Sequence, residues 1–395
     1  MKRPWRVAIV KDTSKPMLGL HGLHTAFRGL PNVDVVAHVD ANTEDLQAKM
    51  AWTGAKRHYA TLPEMLESES PDIVVLCSRQ PYDHLPQIEV AAEASCHIYC
   101  EKPLTASLLE ADRILELVER KQVKLCMAHP GRYALAFRTM KRMLEAGEIG
   151  RPLTVYGRGK CDHRGGGEDL IVLGTHILDL MTFFFGAPEY VYADIAVDGR
   201  PMVQTDRAET VEPIGPAAGD SIFAHFRFPG DLRGTFESRR GLYDRSSGLN
   251  PMGITVLGTE GALSMRFDDG ATRKLRISRG TSHLEYGASF EDVPLVEDRV
   301  IPNADPLDYS LCGQKDIPRA QYFLEANRFA VDDLMRAIEE DRQPVSNAGN
   351  ATLALEMIYG IYAAHLSGRA VKFPLHDRTH PLDHDGSGTP VPILG

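Results

Sequence analysis

The sequence predicts an α/β protein in which an N-terminal domain built on a parallel β-sheet precedes a C-terminal α/β domain with a large open, mainly antiparallel sheet. In the first 125 residues, short apolar runs alternate with helical patterns, which is the order of βαβ units. After Gly150, longer segments of alternating apolar and polar residues follow one another with few helices between them. The length of 395 residues exceeds one ordinary core and also favours two domains.

Five apolar runs predict the strands of the N-terminal sheet: WRVAIV (5–10), DVVAHVD (34–40), DIVVLCS (72–78), CHIYCEK (96–102) and VKLCMAH (123–129). The helical patterns between them are HTAFRGL, TEDLQAKMAWTG, TLPEMLES, LPQIEVAAEAS and TASLLEADRILELVERK. A parallel sheet with helices on both faces is of the Rossmann type, in which ligands bind outside the carboxyl ends of the strands. The residues that follow each run are therefore the first candidates for function.

The C-terminal half predicts a sheet followed by two long helices. Its strands are PLTVYGRGKCDH (152–163), YVYADIAVDG (190–199), SIFAHFRF (221–228), LRGTFESRRG (232–241) and GITVLGT (253–259). The helices span 320–341 and 350–368. We therefore expect a dinucleotide-binding domain at 1–126, a domain for substrate and oligomer contacts at 127–382 and an irregular tail at 383–395.

Composition disfavours several classes of function. The net charge of −10 argues against nucleic acid and anionic membranes as partners, because phosphate binding needs clustered Lys and Arg. No run of about 18 apolar residues occurs, and the N-terminus lacks the apolar stretch of a signal peptide, so we expect a cytoplasmic protein with no membrane span. The six cysteines form no CxxC pair, so we expect free buried thiols and neither a disulfide framework nor a metal site.

The first two predicted strands end in a possible dinucleotide site. Asp40 ends the second strand, where an acid binds the ribose hydroxyls of NAD, although an ordinary turn acid explains it equally well. After the first strand, KDTSKPMLGLHGLHTAF stands in place of GxGxxG. The hydroxyls of Thr13 and Ser14, or helix N-terminal amides near Gly22, can contact phosphate there. A surface loop with late glycines, Gly19 and Gly22, fits the same residues.

Two further stretches carry residues suited to acid–base chemistry. In CEKPLT (100–105), Lys102 follows an apolar strand, and a partly buried lysine there can exchange protons at neutral pH; most strand-end lysines are merely solvated. In GGGEDLIVLGTHILDL (165–180), a helix from Glu168 would put Asp169, Val172, His176 and Asp179 on one face. Asp179 can then orient His176, but a lone histidine on an apolar helix is more often a core residue.

Several motifs together resemble the Gfo/Idh/MocA family, in matching order from about residue 5 to 382. They are EKP (101–103), EAGEIGRP (145–152), GGG…GTHILDL (165–180), LGTEGAL (257–263) and GRAVKFPL (368–375). The resemblance implies an N-terminal Rossmann domain, and a C-terminal α/β domain whose open sheet carries substrate and subunit contacts. It also implies oxidation or reduction of a carbohydrate or cyclitol with NAD(P), and a homo-oligomer of two or four subunits. Asp40 favours NAD over NADP.

The resemblance also implies roles for individual residues. Lys102 corresponds to the EKP lysine that contacts substrate and nicotinamide, and His176 to the acid–base histidine of the DxGxH signature. Val172 stands where that signature has an acid, so Asp169, one turn earlier, is the favoured replacement, with Asp162 and His163 as alternatives. The other residues are expected to contact cofactor (Asp40, Ser78, Arg79, His84 and Glu101) or substrate (Arg132, Asp162, His163 and Asp179).

Hydride loss from a carbinol carbon requires the hydroxyl proton to leave as well, so we expect His176 to act as base and Lys102 to stabilise the developing alkoxide. Two other functions stay open. One is an NAD-dependent glycosidase or lyase that oxidises a sugar transiently. The other is a sugar or nucleotide sensor without catalysis, which the departures at Val172 and in the glycine loop favour and the intact Lys102 and His176 disfavour.

Overall fold

The computed structural model describes residues 3–14, 21–208, 210–242, 251–266, 274–280, 289–295, 300–314 and 321–383. The pattern of contacts divides the chain into two compact units. The first unit consists of Met1–Ala106, Glu110–Ala134 and Glu297–Ala351, and the second of Ser107–Leu109, Leu135–Val296 and Thr352–Gly395. This division differs from the expected boundary at residue 126, because a late segment of the chain returns to the first unit. Of the expected tail at 383–395, only residue 383 lies among the described residues.

The first unit contains a six-stranded parallel sheet in the order β3-β2-β1-β4-β5-β6. The strands are β1 (Trp5–Val10), β2 (Val33–Val39), β3 (Arg57–Tyr59), β4 (Ile73–Leu76), β5 (His97–Cys100) and β6 (Leu125–Met127). This is the Rossmann order, and the predicted fold class of the N-terminal domain is confirmed. The sequence missed β3, whose three residues are too few to show a pattern. The order reverses between β1 and β4, and the ligand crevice of such sheets lies at the carboxyl ends there.

Four of the five predicted helices in the N-terminal half form: α1 (Leu46–Thr53), α2 (Leu62–Ser68), α3 (His84–Glu93) and α4 (Leu108–Arg120). The predicted helix HTAFRGL is wrong, since the structure has only a 3-10 turn at Leu23–Thr25. Gly22 before it and Gly29 after it both adopt left-handed φ angles, of 81° and 75°, which interrupt the helix at both ends.

A helix from late in the chain covers one face of this parallel sheet, against which the 3-10 turn at Leu23–Thr25 also packs. The helix α8 spans Gln321–Glu339, and its buried residues recur at helical spacing: Ala326, Ala330, Val331 and Leu334. They pack in one apolar core with Val7 and Ile9 of β1, Ile73 and Val75 of β4, and Leu23 and Phe27. This core explains why the segment belongs to the first unit, which the amphipathic pattern of α8 alone does not reveal.

The second unit is built on a mixed sheet in the order β15-β14-β13-β12-β7-β11-β10-β8-β16, with β9 paired to β8. Its strands are β7 (Pro152–Arg158), β8 (Tyr190–Val197), β9 (Arg200–Pro201), β10 (Ser221–Arg227), β11 (Arg233–Arg239), β12 (Gly253–Gly258), β13 (Gly261–Arg266), β14 (Arg276–Arg279), β15 (Glu291–Asp292) and β16 (Val371–Lys372). Among the described residues only the β7–β11 pair is parallel. The predicted mainly antiparallel sheet is confirmed.

Helices cover one face of this sheet. They are α5 (Leu135–Glu145), α6 (Gly167–Asp169), α7 (Thr175–Phe185) and α9 (Ala348–Ser367), of which the part from Thr352 onwards belongs to this unit. Gly157 of β7 lets α7 approach closely, because a Cβ there would lie 2.5 Å from Ile177 Cγ2 and 2.4 Å from Met181 Cε. The other face of the sheet carries exposed aromatic side chains, among them Tyr156 and Phe223.

Two further expectations can be compared with the structure. In the part of the chain that the structure describes, no helix is both long and apolar enough for a membrane span. The six cysteines are free thiols, and all except Cys312 are buried.

Candidate active site

The EKP segment follows β5 and buries both of its charged residues. Glu101 and Lys102 are almost fully buried, and the Lys102 N–H donates a hydrogen bond of 2.9 Å to Glu101 Oε1. His21 contacts the same carboxylate, with its Nδ1 3.0 Å from Oε1 and 3.1 Å from Oε2. Sequence reasoning missed His21, because the only local signal was one histidine in a loop that lacks the expected glycine motif.

His21 is held from two sides by the helix α8. Its ring stacks on Phe323 with centroids 5.2 Å apart and planes 1° from parallel. The Asn327 side-chain amide donates to the His21 carbonyl oxygen over 2.7 Å, and the Tyr99 hydroxyl donates to Asn327 Oδ1 over 2.8 Å. A buried chain of contacts thus runs from β5 through α8 and His21 to Glu101.

Charge at this position is set by burial and by nearby cations. Burial alone would raise the pKa of Glu101, but His21, Lys102 and Arg79 outweigh it and lower that pKa to about 2. Burial lowers the pKa of His21, against the opposing effect of Glu101. Glu101 is therefore ionised at neutral pH, and because a carboxylate only accepts hydrogen bonds, His21 donates to it through Nδ1–H.

Asp40, the expected ribose-binding acid, is fully occupied by protein donors. Its side chain is 0% exposed. The carboxylate accepts from the Thr13 N–H (2.9 Å) and hydroxyl (2.7 Å), from the Asn42 N–H (2.9 Å) and from the Lys49 ammonium (2.9 Å). Burial opposes the charge, yet nearby His38 and the hydrogen bonds from Thr13 and Lys49 hold the pKa of Asp40 well below its usual range. These donors compete with ribose hydroxyls for the acceptor sites of the carboxylate, and the expected contact with ribose stays a prediction.

The polar residues of the loop after β1 are also bonded within the protein. The Ser14 N–H and hydroxyl both donate to Asp12 Oδ1, at 2.9 and 2.5 Å, while Thr13 donates to Asp40. Gly22 precedes a 3-10 turn of three residues, and the expected phosphate contact of its amides stays a prediction. Gly19 lies outside the described residues.

The loop after β4 contains three predicted cofactor residues, and two of them hold the loop itself. The Ser78 hydroxyl donates to Asp83 Oδ2 over 2.7 Å. His84 is buried, with Nε2 2.8 Å from the Ser78 carbonyl oxygen and Nδ1 2.9 Å from that of Leu104. Both ring nitrogens thus connect the loops after β4 and β5, and the expected cofactor contacts of Ser78 and His84 stay predictions. Arg79 is only partly buried, and its charge acts on Glu101.

Arg132 lies in the 3-10 turn Pro130–Arg132 that follows β6. It is buried and donates from Nη1 to the Val345 carbonyl oxygen over 3.3 Å, within the first unit. Its contact with substrate stays a prediction.

In the second unit, Asp169 binds main chain and a serine. Its carboxylate is 0% exposed and accepts from the Lys160 N–H (3.2 Å), the Cys161 N–H (3.0 Å) and the Ser238 hydroxyl (2.5 Å). Burial raises its pKa, against the effect of these hydrogen bonds. Asp169 therefore joins the end of the segment after β7 to β11.

A π-helical turn separates Asp169 from His176. The turn spans Leu170–Gly174, between α6 and α7. A π turn holds about one more residue than an α turn, which rotates everything after it by about 100° relative to a continuous α-helix. The expectation that Asp169 shares a face with His176 does not hold, since the sequence pattern assumed an uninterrupted helix.

The helix α7 carries His176 and Asp179, both buried and three residues apart. Val172 lies in the π turn and is buried as well. The catalytic role of His176 and the orienting role of Asp179 stay predictions.

The stretch CDHRGGG contains an ion pair that the sequence analysis did not anticipate. Arg164 donates to Asp162 from Nη2 (2.8 Å), from Nε (3.2 Å) and from its main-chain N–H (2.9 Å), and from Nη1 to Glu212 (2.9 Å). Burial would raise the pKa of Asp162, but Arg164 lowers it. Asp162 thus pairs with Arg164, and its expected contact with substrate stays a prediction. The His163 side chain is 71% exposed, and its substrate contact stays a prediction.

Two protein-family models together match more than half of the chain. Residues 19–129 match the family described as "Oxidoreductase family, NAD-binding Rossmann fold". Residues 137–264 match the "GFO/IDH/MocA C-terminal domain". The first match begins at residue 19, after β1 and within the loop that departs from the glycine motif.

The chain is similar to several sugar and cyclitol dehydrogenases. It is 33% identical over 171 residues to D-apiose dehydrogenase of Paraburkholderia graminis, covering 41% of this chain and 45% of that protein. It is 26% identical to myo-inositol 2-dehydrogenase of Thermotoga maritima, covering 52% and 60%. It thus spans about half the length of these two relatives. It is 25% identical to D-xylose 1-dehydrogenase [NADP(+)] of Haloarcula marismortui, covering 75% and 84%.

Solved structures share the fold at lower identity. An NAD binding oxidoreductase from Klebsiella pneumoniae aligns with a TM-score of 0.71 and 20% identity, over 93% of this chain and 98% of that one. Levoglucosan dehydrogenase, in complex with NADH and levoglucosan, aligns with a TM-score of 0.71 and 19% identity, over 94% and 100%. At identities of 20% and 19%, the similarity to these two structures shows a shared fold.

Proposed function

The chain belongs to the Gfo/Idh/MocA family of oxidoreductases, and on that premise we propose that it is an NAD(P)-dependent dehydrogenase or reductase. Its substrate is a sugar, sugar acid or cyclitol, which reacts at a carbinol or keto carbon. The observation that carries the proposal is the charged EKP segment at the carboxyl end of β5, beside the point where the strand order reverses. Relatives named for apiose, xylose and myo-inositol support the substrate class.

The donor set at the carboxyl ends of the strands fits a dinucleotide. Arg79 is a cation suited to phosphate oxygens, Lys102 corresponds to the family lysine that contacts nicotinamide and substrate, and the ionised Glu101 is an acceptor suited to hydroxyl groups. These three residues would hold the nucleotide, which supplies a hydride acceptor or donor when bound. Asp40, Thr13 and Ser14 are engaged with one another or with neighbouring residues and are left out of this set.

NAD is the proposed nucleotide, with NADP as the weaker ligand. The ionised Asp40 at the end of β2 disfavours a second negative charge such as a 2′-phosphate. Lys49 offsets part of the charge on Asp40, so the preference for NAD over NADP depends on the Asp40–Lys49 ion pair and not on an isolated carboxylate. Parallel calorimetric titrations with NAD and NADP test it, and tighter binding of NADP would contradict it.

The proposed chemistry assigns one task each to His176 and Lys102. His176 accepts the hydroxyl proton of the substrate during oxidation and returns it during reduction. The Lys102 ammonium stabilises negative charge on the substrate oxygen. The proposal gives no proton-transfer task to Asp169, because its carboxylate already accepts three hydrogen bonds from the protein.

The test of the proposed function is a screen of purified protein with NAD and NADP against sugars, sugar acids and cyclitols. We expect the absorbance of the reduced nicotinamide to appear with one of these substrate classes. Failure to bind either nucleotide in a titration would refute the proposal. Glycoside cleavage with tightly held nucleotide and no net turnover would instead indicate the glycosidase or lyase alternative.

We also propose that the protein is a homo-oligomer that uses the open face of its mixed sheet. Three aromatic side chains on that face are exposed, Tyr156 by 46%, Phe223 by 47% and Tyr192 by 48%. Exposed aromatic clusters of this kind are typical of protein interfaces. Light scattering coupled to gel filtration should give a dimer or tetramer, and a monomer at micromolar concentration would contradict the proposal.

A cytoplasmic location is part of the same proposal. Five buried free cysteines suit a reducing compartment, where disulfides are rare. Fractionation of expressing cells, followed by immunoblotting, tests it; recovery in an extracytoplasmic fraction would contradict it.

A further inference from the structure

We propose that His21 is a positioning residue for nucleotide binding, which fastens the loop after β1 to the EKP segment in place of the tight glycine turn. This inference rests on the proposed function. It concerns a residue outside the family motifs, in the part of the chain where the sequence departs most from them.

The described ends of the loop are attached on opposite sides of the ligand crevice. Thr13 is bonded to Asp40, at the end of β2. His21 is bonded to Glu101, at the end of β5. Because the strand order is β2-β1-β4-β5, the two attachments flank β1 and β4, between which the order reverses.

The attachment at His21 is built from several contacts, so it is more than a surface contact. Phe323 supports the face of the ring, and Asn327 fixes the main chain of His21. Glu101 receives a second bond from the main chain of Lys102. A single carboxylate therefore joins the loop to the residue proposed to stabilise the substrate oxygen.

The glycine loop that this chain lacks lets the main chain approach the pyrophosphate and continues into a helix whose N-terminus binds it. Here a 3-10 turn of three residues, Leu23–Thr25, stands in place of that helix. At the two described ends of the loop, the Thr13 and His21 side chains supply bonds to strand ends. Loss of the His21 bond should release one side of the crevice.

Two substitutions separate the functions of the imidazole. His21→Phe keeps a ring to stack on Phe323 but cannot donate to Glu101. His21→Gln keeps an N–H donor and loses the aromatic ring. Lys121→Gln serves as control, because it alters a surface ion pair with Glu93.

The readouts are the Kd for NAD and NADP by calorimetry, the urea unfolding midpoint, and the pKa of the Glu101 carboxyl by carbon-13 NMR without nucleotide. We expect His21→Phe to raise the nucleotide Kd about tenfold, the equivalent of about 1.4 kcal/mol, and to raise the Glu101 pKa. His21→Gln should stay within about threefold of the wild type. The unfolding midpoints should not follow the change in Kd.

Unchanged nucleotide binding by His21→Phe would overturn the inference while leaving the proposed function intact. Equal weakening by His21→Phe and His21→Gln would also overturn it, since the donor would then not be the cause. If the wild type binds neither nucleotide, the proposed function fails and this inference falls with it. The NMR titration then still reports whether His21 controls Glu101.

Discussion

Replacing Asp169 by Asn should leave the chemistry intact, because the structure gives this carboxylate a task in the fold. The carboxylate accepts from the Lys160 and Cys161 N–H groups and from the Ser238 hydroxyl. An Asn oxygen in the place of Oδ2 keeps the bonds from Cys161 and Ser238. The longer bond from Lys160, of 3.2 Å, is lost, which costs about 1 kcal/mol and is partly offset by removal of a buried charge.

A second variant, Asp169→Ala, should lower the free energy of unfolding more than Asp169→Asn does. It leaves two buried N–H groups without an acceptor, at about 1–3 kcal/mol each, so about 2–6 kcal/mol of the free energy of unfolding is lost. Urea unfolding measures both variants, and steady-state kinetics with the substrate found in the screen measures kcat. We expect kcat of Asp169→Asn within about threefold of the wild type.

The sign of the pH dependence follows from the raised pKa of Asp169. The stability that the wild-type residue contributes is full below its unfolded pKa and declines as pH rises through the folded pKa. Asn does not titrate, so the deficit of Asp169→Asn should be largest at low pH and should shrink toward neutral pH. A folded Asp169→Asn variant with kcat reduced about 100-fold or more would refute this reasoning and return Asp169 to catalysis.

Three further predictions concern other residues. His176→Gln should lower kcat/KM by about 10²–10⁴ with nucleotide Kd nearly unchanged, and wild-type kinetics in this variant would exclude His176 as the acid–base residue. Lys49→Met should cost about 3 kcal/mol in urea unfolding, because it leaves Asp40 without its cation. The depressed pKa of Asp40 makes its contribution full above pH 3.8 and lost as pH falls further, so an unchanged acid unfolding midpoint in Lys49→Met would count against that pair. Phe223→Lys, on the exposed sheet face, should shift the oligomer toward monomer in light scattering, and an unaltered mass would exclude that face.

Most of the fold was predictable because its signals are local. Apolar runs such as WRVAIV and SIFAHFRF carry the strand pattern within six to eight residues, and β1 and β10 form at those positions. The helix predicted after β1 failed where two left-handed glycines interrupt it. The position of α8 was not predictable, because an apolar stripe shows that a helix packs but not against which sheet.

By itself the sequence determined the fold class, the family, and Lys102 and His176 as candidates, since each depends on residue types and order along the chain. Only the tertiary structure decided what the buried polar groups bind. His21 and Glu101 lie 80 positions apart, and Asp169 and Ser238 lie 69 apart. A buried polar group must find a partner, but any folded neighbour can supply it, so the partner is set by the packing of distant segments. For the same reason Asp40 kept the position expected of a ribose ligand, while Lys49 and Thr13 took up its carboxylate.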